Sequence, residues 1–192
     1  MDKHLTFRNR VDHIVSKCTG SLLALNQARH VLPTLTMKPI VTSLVVSTMR
    51  YCFSVYGTCG ATERRRLQKV LNFCARVIRG RRKRDHVSDV LRDSRWMTAD
   101  SLVLYHRVCS VRRIVESGHP HEIESTLVSA SDHGHDTRNA GRLRLPKIRT
   151  EAGRRQLVYG GVEAYNQFCA SYDSSASFKR ALRTYLLQKQ SA

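Results

Sequence analysis

Over residues 62–80 the apolar side chains Leu67, Val70, Leu71, Cys74, Val77 and Ile78 recur three and four places apart. That spacing lines one face of a helix with about 3.6 residues per turn and could not line one side of a strand. At about 100° per residue, Arg65, Lys69, Asn72, Arg76 and Arg79 fall on the opposite side. The segment therefore calls for a helix with a buried seam and a cationic ridge. Thr62 is placed to cap its start and Gly80 to end it. The ridge runs on into Arg81, Arg82, Lys83 and Arg84.

The same period organises most of the chain. Val11, Val15, Cys18, Leu22 and Leu25 predict a long helix over residues 7–31, before Pro33. Pro39 suits the first position of a second helix, where its missing N–H costs nothing. That helix carries Val41, Leu44, Val45, Cys52, Val55 and Tyr56 and stops near Gly57. A short helix is expected near residues 85–93. Thr98 then caps another, with Asp100 in its first turn and Leu104, Tyr105, Val108, Val111 and Val115 on its buried face. Residues 129–142 read as a polar loop. Beyond them the period changes: Leu143, Leu145, Leu157 and Tyr159 alternate with basic residues around the turn-rich 150–153, which predicts a small β-hairpin near residues 143–159. Two short helices follow, bearing Val162, Tyr165 and Cys169, and then Phe178, Leu182, Tyr185 and Leu186. The expected fold is mainly α, a helical bundle with that hairpin. It is divided into a helical domain over 1–128, the loop 129–142, and the hairpin with two C-terminal helices over 143–192.

Charge narrows the function. The 192 residues hold 33 Lys and Arg against 15 Asp and Glu, a net +18. Residues 62–84 have ten Lys and Arg and one Glu, and residues 138–155 have seven and one. Nearly all the excess thus sits in two blocks, as an electrostatic footprint for a polyanion does. An arginine-rich stripe can follow a phosphate backbone with paired N–H donors. The candidate nucleic-acid contacts are Arg65, Lys69, Asn72, Arg76, Arg79, Arg81, Arg82, Lys83 and Arg84, with Arg144, Lys147, Arg149, Arg154 and Arg155 from the second block. The longest apolar stretch, 40–49, is too short to span a bilayer and is followed by Arg50. The face opposite the ridge lacks the Trp and Phe anchors of a membrane-surface helix. The expected partners are RNA or DNA backbone, with no membrane, no small-molecule substrate, no cofactor and no metal.

Six cysteines are present, without a C-x-x-C pair, so a zinc site of local spacing is absent. They read as small buried hydrophobes in a reducing compartment. The start, MDKHLTFRNR, has no apolar stretch before a cleavage site, and the expected location is inside the cell, nuclear or cytoplasmic. Asp85, Asp89 and Asp93 share one helical face. They could pair to hold a metal, but an acidic face that offsets the basic block is the better reading. His119 with His121, and His133 with His135, lie in loops without cysteine partners. His106 and Cys109 stand at a spacing helices produce by chance. Trp96 reads as a core anchor in preference to a base-stacking platform.

The motifs resemble a known family. ATERRRLQKVLNFCARVIRGRRKRDHVSDVLRDSRWM, residues 61–97, is similar to the segment that follows the polymerase core in non-LTR (LINE-type, jockey-like) retrotransposon reverse transcriptases. The pattern falls on Leu67, Gln68, Asn72, Ala75, Arg76, Ile78 and Gly80, after Tyr51 and Tyr56. HLTFRNRVDHIVSKCTGSLLALNQ, LRLPKIRTEAGRRQLVYGGVEAYNQF and SFKRALRTYLL resemble three further stretches of that family, in the same order. The resemblance implies the thumb and downstream helical region, holding template RNA or target DNA. No Asp-Asp pair occurs, so the aspartates that bind magnesium for nucleotidyl transfer are missing. The expectation is a non-catalytic, nucleic-acid-binding C-terminal fragment of a retrotransposon RNA-directed DNA polymerase. The alternative is a helical interaction module dependent on a separate polymerase core, with no nucleic-acid binding of its own. Apolar surface left over near residues 40–56 would favour that alternative.

Overall fold

The computed structural model describes residues 6–127, 142–168 and 175–190. The described chain is helical: α1 (Arg8–Ala28), α2 (Thr34–Val41), a π-helical turn (Thr42–Val46), α3 (Ser47–Arg50), α4 (Phe53–Tyr56), α5 (Ala61–Arg79), α6 (Ser88–Asp93), α7 (Ala99–Ser117), α8 (His121–Glu124), α9 (Glu151–Arg155), a second π turn (Leu157–Gly161), α10 (Val162–Phe168) and α11 (Ser175–Lys189). No helix among the described residues is long and apolar enough to cross a membrane. The chain divides into two compact units, Met1–Leu102 with Lys189–Ala192, and Val103–Gln188. The division falls inside α7, whereas the sequence places the boundary at the polar stretch 129–142, most of which lies outside the described residues.

In the first unit α1 and α5 pack against each other. Val11, Ile14, Cys18 and Leu22 of α1 and Leu67, Val70, Leu71, Cys74, Val77 and Ile78 of α5 are all buried. Each large apolar side chain so buried contributes about 1.5–3 kcal/mol, and the seam expected on α5 is the seam observed. Met37, Val41, Val45, Val46 and Met49 close the core from the segment between them, with Phe53 and Tyr56 of α4 edge to face at 5.1 Å.

The second helix departs from expectation. It begins at Thr34 after Pro33, so Pro39 lies inside it and not at its start. A proline there removes one rung of the ladder, and the next turn widens to the π form over Thr42–Val46. Hydroxyls bond back onto carbonyls through this stretch, Thr42 onto Lys38 at 2.8 Å and Thr48 onto Leu44 at 2.7 Å. The helix then breaks at Tyr51 and Cys52, the latter at φ 56°. The break turns Cys52 out to solvent, and Val55 and Leu44 are exposed as well. Thr62 does not cap α5: the cap position is Gly60, two residues earlier, and Thr62 lies inside the first turn.

In the second unit Val108, Val111 and Ile114 of α7 are buried, as are Val162, Tyr165, Phe178, Leu182 and Leu186. The Arg112 guanidinium lies 5.2 Å from the centre of the Phe178 ring. The β-hairpin expected near 143–159 is not there; no strand occurs among the described residues. Thr150 caps α9, its hydroxyl accepting the Gly153 N–H at 3.1 Å. This makes Glu151–Arg155 a helical turn, while residues 144–149 form no regular element. Leu143 has an isolated β-bridge geometry and no strand partner among the described residues of 144–159. Its N–H and C=O pair instead with the Asn166 amide, at 2.9 and 2.7 Å. That one amide side chain thus engages both backbone groups of Leu143. Gly160 and Gly161 are buried; a Cβ on Gly160 would stand 2.9 Å from the Arg154 carbonyl, too close for any side chain, and one on Gly161 would stand 2.9 Å from Leu157 Cδ1.

Candidate nucleic-acid interface

Nine of the fourteen expected contacts fall in the first unit, on α5 and the turn after it. Arg65 and Lys69 are exposed on the side of α5 away from its seam. At Gly80, φ 64°, the helix stops, and the Arg81 N–H bonds back to the Arg76 carbonyl at 3.0 Å. The chain then folds into a turn in which the Arg82 N–H donates to Asp85 Oδ2 at 2.8 Å. This leaves Arg82, Lys83 and Arg84 exposed. Among the described residues, no carboxylate lies within ion-pair distance of Arg65, Lys69, Arg82, Lys83 or Arg84. These five are the open part of the ridge.

The other four are engaged. Arg79 pairs with Asp93 at 3.4 Å, both side chains about half exposed. Arg81 grips both carboxylate oxygens of Asp89 and also donates to the His86 carbonyl. Partial burial alone would raise the Asp89 carboxyl, but hydrogen bonds from Arg81 and the Val90 N–H, with the Arg81 charge, hold it below its ordinary value. Arg76 is half-buried; its Nη2 reaches the Asp85 carbonyl at 3.3 Å, and its Nε is buried with no protein acceptor. Asn72 is half-buried and accepts from Gln68 Nε2 at 2.8 Å, while Gln68 Oε1 accepts the Ala99 N–H at 2.8 Å. Gln68 thereby ties α5 to the first turn of α7, and Asn72 steadies Gln68 as part of that bridge. Beside the ridge, Arg64 pairs with Asp100 at 2.8 Å and Arg66 pairs with Asp12. The aspartates on α6 thus serve as counter-charges to the basic block, the use the sequence favours over a metal site.

Sequence reasoning missed what stands next to the ridge. A groove of about 810 Å³ opens between the C-terminal end of α1 and α5. Leu23 and Phe73 supply apolar lining, and Arg29, Lys69, Arg76 and Lys83 supply cationic lining. The Arg29 guanidinium lies 3.4 Å from where a Cβ on Gly80 would sit. Phe73 carried a readable signal: it stands four residues after Lys69 and three before Arg76, inside the cationic face. Arg29 carried none, because only the packing of α1 on α5 brings it there.

The remaining five expected contacts lie in the second unit. Arg144, Lys147, Arg149 and Arg154 are exposed and Arg155 is half-buried. Arg154 and Arg155 line a cavity of about 360 Å³ together with Arg107, Tyr159, Glu151 and Glu163. Arg107 donates to the Arg155 carbonyl at 2.7 Å. Two carboxylates among its walls make this a mixed surface, less suited to a polyanion than the ridge.

The other constellations resolve simply. Trp96 is buried. Burial pushes the Cys18, Cys74 and Cys109 thiols up, so none is an activated thiolate at neutral pH. His121 lies 3.4 Å from Glu124, and no group of metal-ligating side chains occurs among the described residues. His133 and His135 lie outside the described residues, as does Cys169. No family model, no curated protein and no solved structure matches the chain.

Proposed function

We propose that this chain binds RNA or DNA through the phosphate backbone, using the open face of α5 and the turn that follows it, without catalysing a reaction. The observation that carries the reading is the set Arg65, Lys69, Arg82, Lys83 and Arg84, single in sign, adjacent in the fold and unpaired by carboxylates among the described residues. Phosphate contacts of this kind position a strand and read little sequence. The motif resemblance to the region downstream of a retrotransposon polymerase core points the same way, and the lack of an Asp-Asp pair supports a non-catalytic role. Titration of labelled RNA and duplex DNA at two salt concentrations tests the proposal. Neutralising about six phosphates gives a slope of log affinity against log salt of about −4 to −5; no binding at low salt would remove the proposal. Primer extension with magnesium tests the non-catalytic part, and any synthesis would contradict it.

A second reading has its own observation. Leu44, Tyr51 and Val55 are 53%, 68% and 48% exposed, within the stretch 40–56. This favours an interaction module that is completed by a polymerase core. Light scattering of the purified chain separates the two readings: self-association without nucleic-acid binding supports the second.

A further inference from the structure

The ridge accounts for phosphates, but it leaves the groove beside it unexplained. A strand held only by its backbone needs outward cations and no apolar floor. Here an aromatic ring, Phe73, is half-buried within the cationic face, and Leu23 across from it on α1 is 53% exposed. The groove's volume, about 810 Å³, lies within the range of about 300–1,000 Å³ that suits ligand-sized groups. Among the described residues that line it there is no carboxylate. A ligand matching both features is anionic and carries a flat apolar face. A double helix has the charge but keeps its bases stacked inside; an unpaired strand offers both.

We infer that the groove takes an unpaired nucleotide of a single-stranded nucleic acid, its base against Phe73 and its phosphates among Lys69, Arg76, Arg82 and Lys83. This rests on the phosphate-binding reading above and names the form of nucleic acid that the site selects. Arg76 has the chemistry for a phosphate: its Nε is buried without an acceptor, and its hydrogen bond to the Asp85 carbonyl is long. Arg29 stands at the rim beside Gly80, its guanidinium 3.4 Å from where a Cβ there would sit. The cations outside the groove, Arg65 and Arg84, extend the anionic path beyond one nucleotide, so the occupant is a strand and not a free mononucleotide.

The test is anisotropy titration of the full chain with four labelled probes at one salt concentration. These are a single-stranded RNA and a single-stranded DNA of about 12 nucleotides, a duplex of the same length, and the DNA strand made abasic. The single strands bind more tightly than the duplex. Removing the bases weakens binding by about 5- to 150-fold, the usual range for one stacked base. Phe73→Leu keeps an apolar side chain, removes the ring and weakens intact strands to the same extent, with unchanged circular dichroism. If that variant fails to fold, the abasic strand decides with the unaltered chain. An abasic strand bound as tightly as the intact one, or a duplex bound as tightly as the single strands, would overturn the inference and leave the phosphate reading standing. No binding of any probe would overturn both.

Discussion

At Gly80 the backbone turns with φ 64°, and the Arg29 guanidinium lies 3.4 Å from where a Cβ would stand, an ordinary contact. Gly80→Ala forces an L-residue into the left-handed region, at a cost of about 1–2 kcal/mol. The expected result is a lower urea midpoint. Asp89 behaves differently, because its carboxyl is held below its ordinary value of 3.8. A depressed folded value means the unfolded chain takes up the proton first. The Arg81–Asp89 clamp therefore stabilises fully above about pH 4 and is lost as pH falls further. Urea midpoints between about pH 5 and pH 2 should drop more steeply in the wild-type chain than in Asp89→Asn. Thiol labelling gives a third check: exposed Cys52 should react with a maleimide well before buried Cys18 and Cys74, whose thiols burial holds protonated.

Among the elements, α5 carries both stability and proposed function, on opposite faces. Leu71→Ala should cost about 2–5 kcal/mol, read from denaturant unfolding, because Leu71 is 1% exposed in the seam against α1. Arg65→Gln with Lys69→Gln should leave that stability unchanged and flatten the salt dependence of binding by about 0.7–0.9 for each phosphate no longer neutralised. This division was legible because a seam of six apolar residues at helical spacing leaves one solution. The hairpin was not, because its second half, 151–161, folds as helical turns behind the Thr150 cap while 144–149 form no regular element, and neither the cap nor the Asn166 grip on Leu143 shows in the alternation. The proline rule failed at Pro39 because the helix begins five residues before it, and the π turn beyond accommodates the missing rung. Asn72 points outward on a helical wheel and Arg81 stands in the basic run after the helix, yet the fold gives them Gln68 and Asp89. Periodicity assigns a face and is blind to partners from elsewhere in the chain.

For the molecule as a whole, the open cationic ridge and the exposed apolar side chains at 44, 51 and 55 lie in the same unit, Met1–Leu102 with Lys189–Ala192. Composition indicated the charge. The groove needed tertiary packing, since Leu23 and Phe73 are fifty residues apart in the chain. The most direct test is the affinity of the full chain for a single-stranded oligonucleotide across a series of salt concentrations, compared with a variant in which Arg65, Lys69, Arg82 and Lys83 are all glutamine. The account predicts tight binding at low salt and a log–log slope of about −4 for six phosphates on a single strand, flattening toward about −1 to −2 in the variant. Binding that is absent at low salt, or a slope the four substitutions leave unchanged, would contradict it.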